Sequence, residues 1–325
     1  MAPSKENSED QLSSSIKTGQ EDVLDSIRVR TPHPVPTSRS PIGESDAPKG
    51  AEYENRVVAF IDILGFREII GRSKDDPELI HRIYSALDIS NDSLALHFCA
   101  DLKINREPLD FSDRFHTFSD CIVMSVLPDP IEIGLLYFMV FKVCRQLLQA
   151  GFLTRGGIAC GPLLHRAPSG AGFANHEHAP MVFGPAFNEA YALESTHAGG
   201  SRIILQNSVF NLVKDHCSKN GGTRLSQFLI AHTKRSSDGA AYIDLFADFP
   251  GNTDFYGKDM KIHESIREIH QSLCTALNAT MDRPAQFKKN ALLAAQFNKA
   301  IKISQSVDKD LERYIIDGGV LPPRH

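Results

Sequence analysis

Val57-Val58-Ala59-Phe60-Ile61-Asp62-Ile63-Leu64-Gly65-Phe66 is the stretch whose reading decides the fold. Its five leading apolar residues predict a buried strand. An acid where that strand emerges, followed by a glycine turn, makes a station suited to a metal ion or a phosphate. Taken alone, Asp62 is as well suited to capping the helix that follows.

Working outward, Phe66 to Gly71 and Pro77 to Phe98 carry apolar residues at helical spacing (Leu79, Ile80, Ile83, Leu87, Leu94), which predicts two helices. Between Arg114 and Val126 two β-like runs flank Ser119-Asp120, so a hairpin is expected with Asp120 at its tip, where an acid is equally a common turn residue. Pro130 to Ala150 reads as a long apolar helix, closed by Gly151 in the left-handed conformation such helix ends favour. Arg155 to His165 follows as a strand whose small residues, Gly156, Gly157, Ala159 and Gly161, permit close backbone approach.

A loop of Gly, Ala, Pro and His over 166–180 leads into Met181-Val182-Phe183-Gly184 and then a helix from about Pro185 to His197. Arg202 to Leu205, Phe228 to His232 and Ala240 to Phe246 are further strand candidates. Lys261 to Met281 and Pro284 to Ser306 predict a C-terminal helical hairpin. With no internal repeat, this order predicts an α+β fold, helices against a largely antiparallel sheet.

Composition narrows the function classes. The chain is 42% hydrophobic, as a globular protein is, and its formal charge of −5 supplies no basic face for nucleic acid. No apolar run approaches the roughly 20 residues needed to span a bilayer, and residues 1–30 lack the apolar core of a secretion signal, so a cytoplasmic protein with no membrane partner is expected. Six cysteines without a CxxC pair read as reduced core residues. Residues 1–50 are rich in Ser, Pro, Lys, Glu and Asp and read as a disordered tail, with Asp22 to Val29 the one stretch suited to a helix. His176, Glu177 and His178 invite a zinc reading but sit in the 166–180 loop without a further ligand cluster.

Four stretches occur in a telling order: Phe60-Ile61-Asp62-Ile63-Leu64-Gly65-Phe66, Phe118-Ser119-Asp120, Arg155-Gly156-Gly157-Ile158, and Phe183-Gly184 with Asn188 to Glu194. Together they resemble the catalytic domain of the class III nucleotidyl cyclases over about residues 55 to 250, closest to the bacterial pyrimidine cyclases of the Pycsar antiphage systems. The resemblance implies a ferredoxin-like sheet in a catalytic domain over 51–250, with 251–325 as a helical extension. It implies that Asp62 and Asp120 bridge two Mg²⁺ or Mn²⁺ ions, that the Ile63 carbonyl is a further ligand, and that the Leu64, Gly65 and Phe66 amides cradle phosphate. Such a site would cyclise a nucleoside triphosphate, and its product would be read by a separate cyclic-nucleotide-sensing effector.

The departures from the family pattern bear on substrate. Purine cyclases read the base with Lys or Glu four residues ahead of the second metal acid; His116 stands there, a residue that fits a smaller base or a half-buried strand. At the second base-reading position stands Met181, which cannot make a directional hydrogen bond and also suits plain packing. Asn188 matches the asparagine that orients the ribose, whereas the arginine expected one turn later is Ala192. Arg155, Lys234 and Arg235 are candidates to replace that cation, with surface solvation the alternative for the last two. In the Asn188 to Glu194 signature, Leu193 is expected in the core and Glu194 as a helix or turn anchor. Class III sites are shared across a head-to-tail pair, which implies a homodimer with Asp62 and Asp120 from one chain and His116 and Asn188 from the other. UTP ahead of CTP is the expected substrate. An adenylate cyclase with unusual base contacts and a degenerate nucleotide-binding domain are the rivals.

Overall fold

The computed structural model describes residues 52–88, 91–105, 107, 114–166, 181–250 and 261–317. The N-terminal tail, its possible helix at Asp22 to Val29, and the His176-Glu177-His178 loop lie outside them. The described elements belong to one unit, Gly50–His325.

Strand β1 runs over Glu54–Ile63 and is followed by α1 (Phe66–Ser73), α2 (Pro77–Leu87) and α3 (Asn91–Leu102). Where two helices were expected up to Phe98 there are thus three, because the chain leaves helical geometry at Asp88, whose ψ is 80°. Next come β2 (Phe115–Phe118), β3 (Cys121–Val126), α4 (Pro130–Gln149), β4 (Thr154–Arg166), β5 (Met181–Phe183) and α5 (Pro185–Ala192). A π-helical turn, Leu193–His197, extends α5. The remainder is β6 (Ile203–Leu205), α6 (Asn207–Asn220), α7 (Arg224–His232), β7 (Thr233–Arg235), β8 (Ala241–Ile243), α8 (Lys261–Asn278), α9 (Pro284–Ser304) and a short 3₁₀ turn at Lys309–Tyr314.

The expected strand at Phe228 to His232 is instead the end of α7. Thr223 caps that helix by accepting the Ser226 N–H, and Leu225, Phe228, Leu229 and His232 recur at three- and four-residue spacing, so all four reach the core from one helix face.

The strands form one sheet in the order β2-β3-β1-β4-β6-β8-β7, with β5 hydrogen-bonded to the far end of β4. Only the β4–β6 pair is parallel; the others are antiparallel. The architecture is therefore α+β, a mostly antiparallel sheet covered by helices.

Period-two alternation along β1 sends its side chains to two unlike faces. Val57, Ala59, Ile61 and Ile63 enter a large core built on α4, with α8 and α9 contributing Ile266, Ile269, Leu273, Leu293, Phe297 and Ile301. Asp129 caps α4, accepting the Ile131 and Glu132 N–H groups, and Gly151 closes it at a φ of 90°. Val58 and Phe60 enter a second, smaller cluster with Val123, Ala159 and Leu163, under Ala186 and Ala190 of α5. One short helix cannot cover that face, so its two ends stay open for polar side chains.

The approach of α5 explains Gly157 of β4, and the β1 backbone explains Gly156. A Cβ at Gly157 would lie 2.2 Å from the Ala190 carbonyl oxygen and 2.6 Å from Leu193 Cβ; at Gly156 it would lie 2.4 Å from the Phe60 carbonyl oxygen. All six cysteines are free thiols, but only Cys144 is fully buried and the other five are half-buried.

Candidate active site

Asp62 is the last but one residue of β1, paired across the ladders with Cys121 on β3 and Arg155 on β4. Alternation places all three on the face that carries α5. The β2–β3 turn consists of Ser119 and Asp120, and Ser119 takes the left-handed φ of 53° that tight hairpins require. The Ile63 N–H donates to the Asp120 carbonyl at 2.9 Å, which holds the hairpin tip against the end of β1. Two carboxylates on separate elements thereby become neighbours.

Arg155 lies between acids. Its Nε is 3.2 Å from Asp62 Oδ2 and also pairs with Glu194 Oε1. The Glu194 side chain is only 3% exposed, against 20% for Asp62 and 29% for Arg155, so the ion pairs sit at the mouth of a buried carboxylate. Glu194 reaches this place from the π-helical turn after α5. Where a helix or turn anchor was expected, its side chain instead pairs with Arg155 on β4. Ala186, Ala190 and Glu194 are spaced by four, the signal that all three look toward the sheet.

The electrostatics follow from that crowding. Burial pushes the Asp62 carboxyl above its ordinary value, Arg155 pulls it back, and Asp120 adds to the rise. Burial likewise raises Glu194, opposed by Arg155 and reinforced by Asp62. The Cys121 thiol is raised by burial and then by Asp120, Asp62 and Glu194. Asp62 and Glu194 thus share one guanidinium with a third carboxylate, Asp120, beside Asp62, a local excess of negative charge that a cation would relieve.

That imbalance has a measurable sign. The folded chain holds the Glu194 proton more tightly than the 4.5 of an unperturbed glutamate, so this contribution to stability is full below pH 4.5 and is lost as pH rises through the raised value. In metal-free buffer the stability of the wild type relative to Glu194→Gln should fall as pH rises above about 4.5 in denaturant titrations. A pH-independent difference contradicts the burial described.

Among the described residues no set of three or more His, Cys, Asp and Glu side chains converges to hold a metal ion. Asp62 and Asp120 nevertheless suit Mg²⁺, which is commonly bound through one or two carboxylates with substrate phosphates and water completing the shell. Beyond them, Gly65 turns the chain with a φ of 72° and serves as N-cap of α1. Of the three amides expected to face a phosphate, Leu64 N–H is already engaged with the Leu153 carbonyl at 2.8 Å. Gly65 and Phe66 are left for that role.

The other expected site residues lie away from the acids of the same chain. His116 is half-buried on β2, opposite Val123, with its ring 4.8 Å from His165 and 6.1 Å from Phe118. Asn188 is exposed on α5, and Met181 is exposed at the start of β5. Lys234 and Arg235 are on β7, the edge strand four places from β1, roughly 19 Å away at about 4.8 Å per strand. Arg235 there covers the Phe210 ring and donates to the Gly239 carbonyl. Of the candidate cations, only Arg155 touches the acids.

No family model matches the chain, and no curated protein matches it either. No helix among the described residues is long and apolar enough to cross a membrane.

Proposed function

We propose that the chain is a class III-type pyrimidine nucleotide cyclase, which converts UTP, ahead of CTP, into the 3′,5′-cyclic monophosphate and pyrophosphate. The observation that carries this reading is the pairing of Asp62 at a strand end with Asp120 at an adjoining hairpin tip, beside the glycine turn that opens α1. The motif order in the sequence supports it independently.

In the reaction the 3′-oxygen bonds to the α-phosphorus while the bond to the bridging oxygen breaks. The hydroxyl proton is released and pyrophosphate leaves with the electron pair. Two Mg²⁺ or Mn²⁺ ions held by Asp62, Asp120 and the Ile63 carbonyl would supply positive charge at the attacking and leaving oxygens. The Gly65 and Phe66 amides donate to phosphate oxygens at the start of α1. Arg155 supplies the cation that Ala192 cannot, and it offsets the Asp62 and Glu194 charges when no substrate is bound. His116 and Met181 face the base, and Asn188 orients the ribose.

The exposed position of Asn188 suits a cleft completed by a second copy. In that arrangement one chain gives Asp62 and Asp120 and the other gives His116, Met181 and Asn188. The product is then a second messenger made on phage infection, which activates a separate membrane-damaging or NAD-depleting effector. Ala192 favours one other reading, a nucleotide-binding domain without turnover.

Subunit mixing tests the shared cleft. Asp62→Ala and Asn188→Ala are each expected to be inactive, and random pairing of the two should restore about a quarter of wild-type turnover, since half the dimers carry one intact cleft of two. A mixture no more active than its separate components overturns the shared cleft.

A further inference from the structure

At the opposite end of the same sheet face from the carboxylates, a cavity of about 230 Å³ is lined by Arg56, Arg114, Leu163, Leu164 and His165, with Glu52 and Glu54 completing it. At about 30 Å³ per water it has room for roughly seven waters, enough for one ring but not for a whole nucleotide.

His165 is 5% exposed and Arg56 3%, and Ser125 between them is wholly buried. His165 Nδ1 lies 2.7 Å from Ser125 Oγ, and that hydroxyl accepts from Arg56 Nη1 at 3.5 Å. Arg56 is itself held by Glu54, 2.7 Å from its other Nη. A guanidinium only donates, so among the described residues the acceptor for the buried Ser125 proton is His165 Nδ1. This assigns the ring proton of His165 to Nε2. Burial, with the charges of His116, Arg56 and Arg114, holds His165 down to about 3, so it is neutral and has a single N–H.

Nε2 is buried and has no hydrogen-bond partner among the described residues. A buried donor without an acceptor is costly, and such groups mark places where a ligand completes the hydrogen bonding. The ring that carries it touches His116, the expected base contact, 4.8 Å between centroids.

We propose that His165 reads the base: its Nε2–H donates to a ring carbonyl of uracil at the edge where cytosine carries an amino group. The inference rests on the cyclase reading and sharpens its substrate. Uracil presents an acceptor oxygen at that edge and cytosine an N–H₂ donor, so a fixed N–H donates to the first and is left unpaired by the second. Ser125 and Arg56 are positioning residues, since they set the tautomer without touching the base. His165 is silent in the sequence motifs; its signal is alternation along β4, where Arg155, Gly157, Ala159, Gly161, Leu163 and His165 share a parity.

The test is the ratio of kcat/KM for UTP to that for CTP in the wild type, His165→Ala, His165→Gln and Ser125→Ala. The wild type should favour UTP by at least tenfold. His165→Ala should lose that preference, Ser125→Ala should weaken it, and His165→Gln, which keeps an N–H donor, should restore part of it. Equal losses with both substrates, an unchanged ratio, or a wild-type preference for CTP or ATP overturns the proposal. Should the wild type turn over none of the nucleotides, the cyclase reading fails separately. Equilibrium binding of UTP and CTP to the same proteins then decides the base assignment, and equal affinities overturn it. If His165→Ala does not fold, Ser125→Ala, which removes one hydroxyl, carries the same comparison.

Discussion

Asp62→Ala is expected to lower the proposed nucleotide turnover by roughly 10³-fold or more, beyond the 10- to 100-fold typical of residues that only support a metal ligand. Stability should move the other way. Burial raises the Asp62 carboxyl, so the folded chain carries that charge at a cost, and Glu194 remains to pair with Arg155 once Asp62 is gone. The melting temperature of the variant is therefore expected to stay level or rise. A residue that weakens the fold in its working charge state is held there by chemistry. Turnover retained in Asp62→Ala removes the metal role. A large fall in melting temperature would make Asp62 a structural residue of the Arg155 network instead.

The second large effect is on stability and comes from Gly157→Val. The new Cβ would meet a backbone oxygen at 2.2 Å and another Cβ at 2.6 Å, and neither is a flexible tip that can swing aside. Helix α5 must lift from β4, uncovering Val58, Phe60 and Ala159 and carrying Glu194 away from Arg155. Overpacking of this kind costs about 3 kcal/mol. At roughly 2–4 °C per kcal/mol, thermal unfolding should shift down by about 6–12 °C. Gly71 is the control: nothing lies within 4 Å of its added Cβ, and Gly71→Ala within α1 should be neutral or slightly stabilising. Equal melting temperatures for the wild type and Gly157→Val would contradict the close approach of α5.

The parts of the fold legible in the sequence are those where one period dominates a long window. Five apolar residues in β1, the largely apolar 20-residue helix α4 and the Gly151 stop each carry a signal that no tertiary contact has to supply. Phe228 to His232 misleads because five β-compatible residues fit a strand as well as a helix. The residues that settle it, Thr223 and Leu225, lie just outside that window. The split between α2 and α3 rests on the backbone at Asp88, with neither glycine nor proline to announce it.

Within the site, Asp62 and Asp120 are legible because one stands near a strand end and the other in a hairpin turn, and Arg155 because it stands near the start of a strand. Their convergence is a matter of ladder register, which pairs Asp62 with Cys121 and Arg155. Glu194 is half-legible through its four-residue spacing from Ala190, while the π-helical turn that carries it is not. Lys234 and Arg235 are candidates because they precede the Ala240 to Phe246 strand, near where the resembled family keeps a phosphate-binding lysine. Strand order, which local sequence does not encode, places them at the far edge of the sheet from the acids of the same chain.

The central claim, that Asp62 and Asp120 serve a nucleotide cyclisation, is tested most directly by incubating the full chain with each of the four labelled nucleoside triphosphates and Mn²⁺. Products are resolved in parallel with those of Asp120→Ala. The account predicts cyclic UMP and pyrophosphate in equal amounts, less product from CTP, and none from the variant. Cyclic AMP as the dominant product would contradict the substrate, and no product from a folded, dimeric preparation with any nucleotide would contradict the cyclase itself.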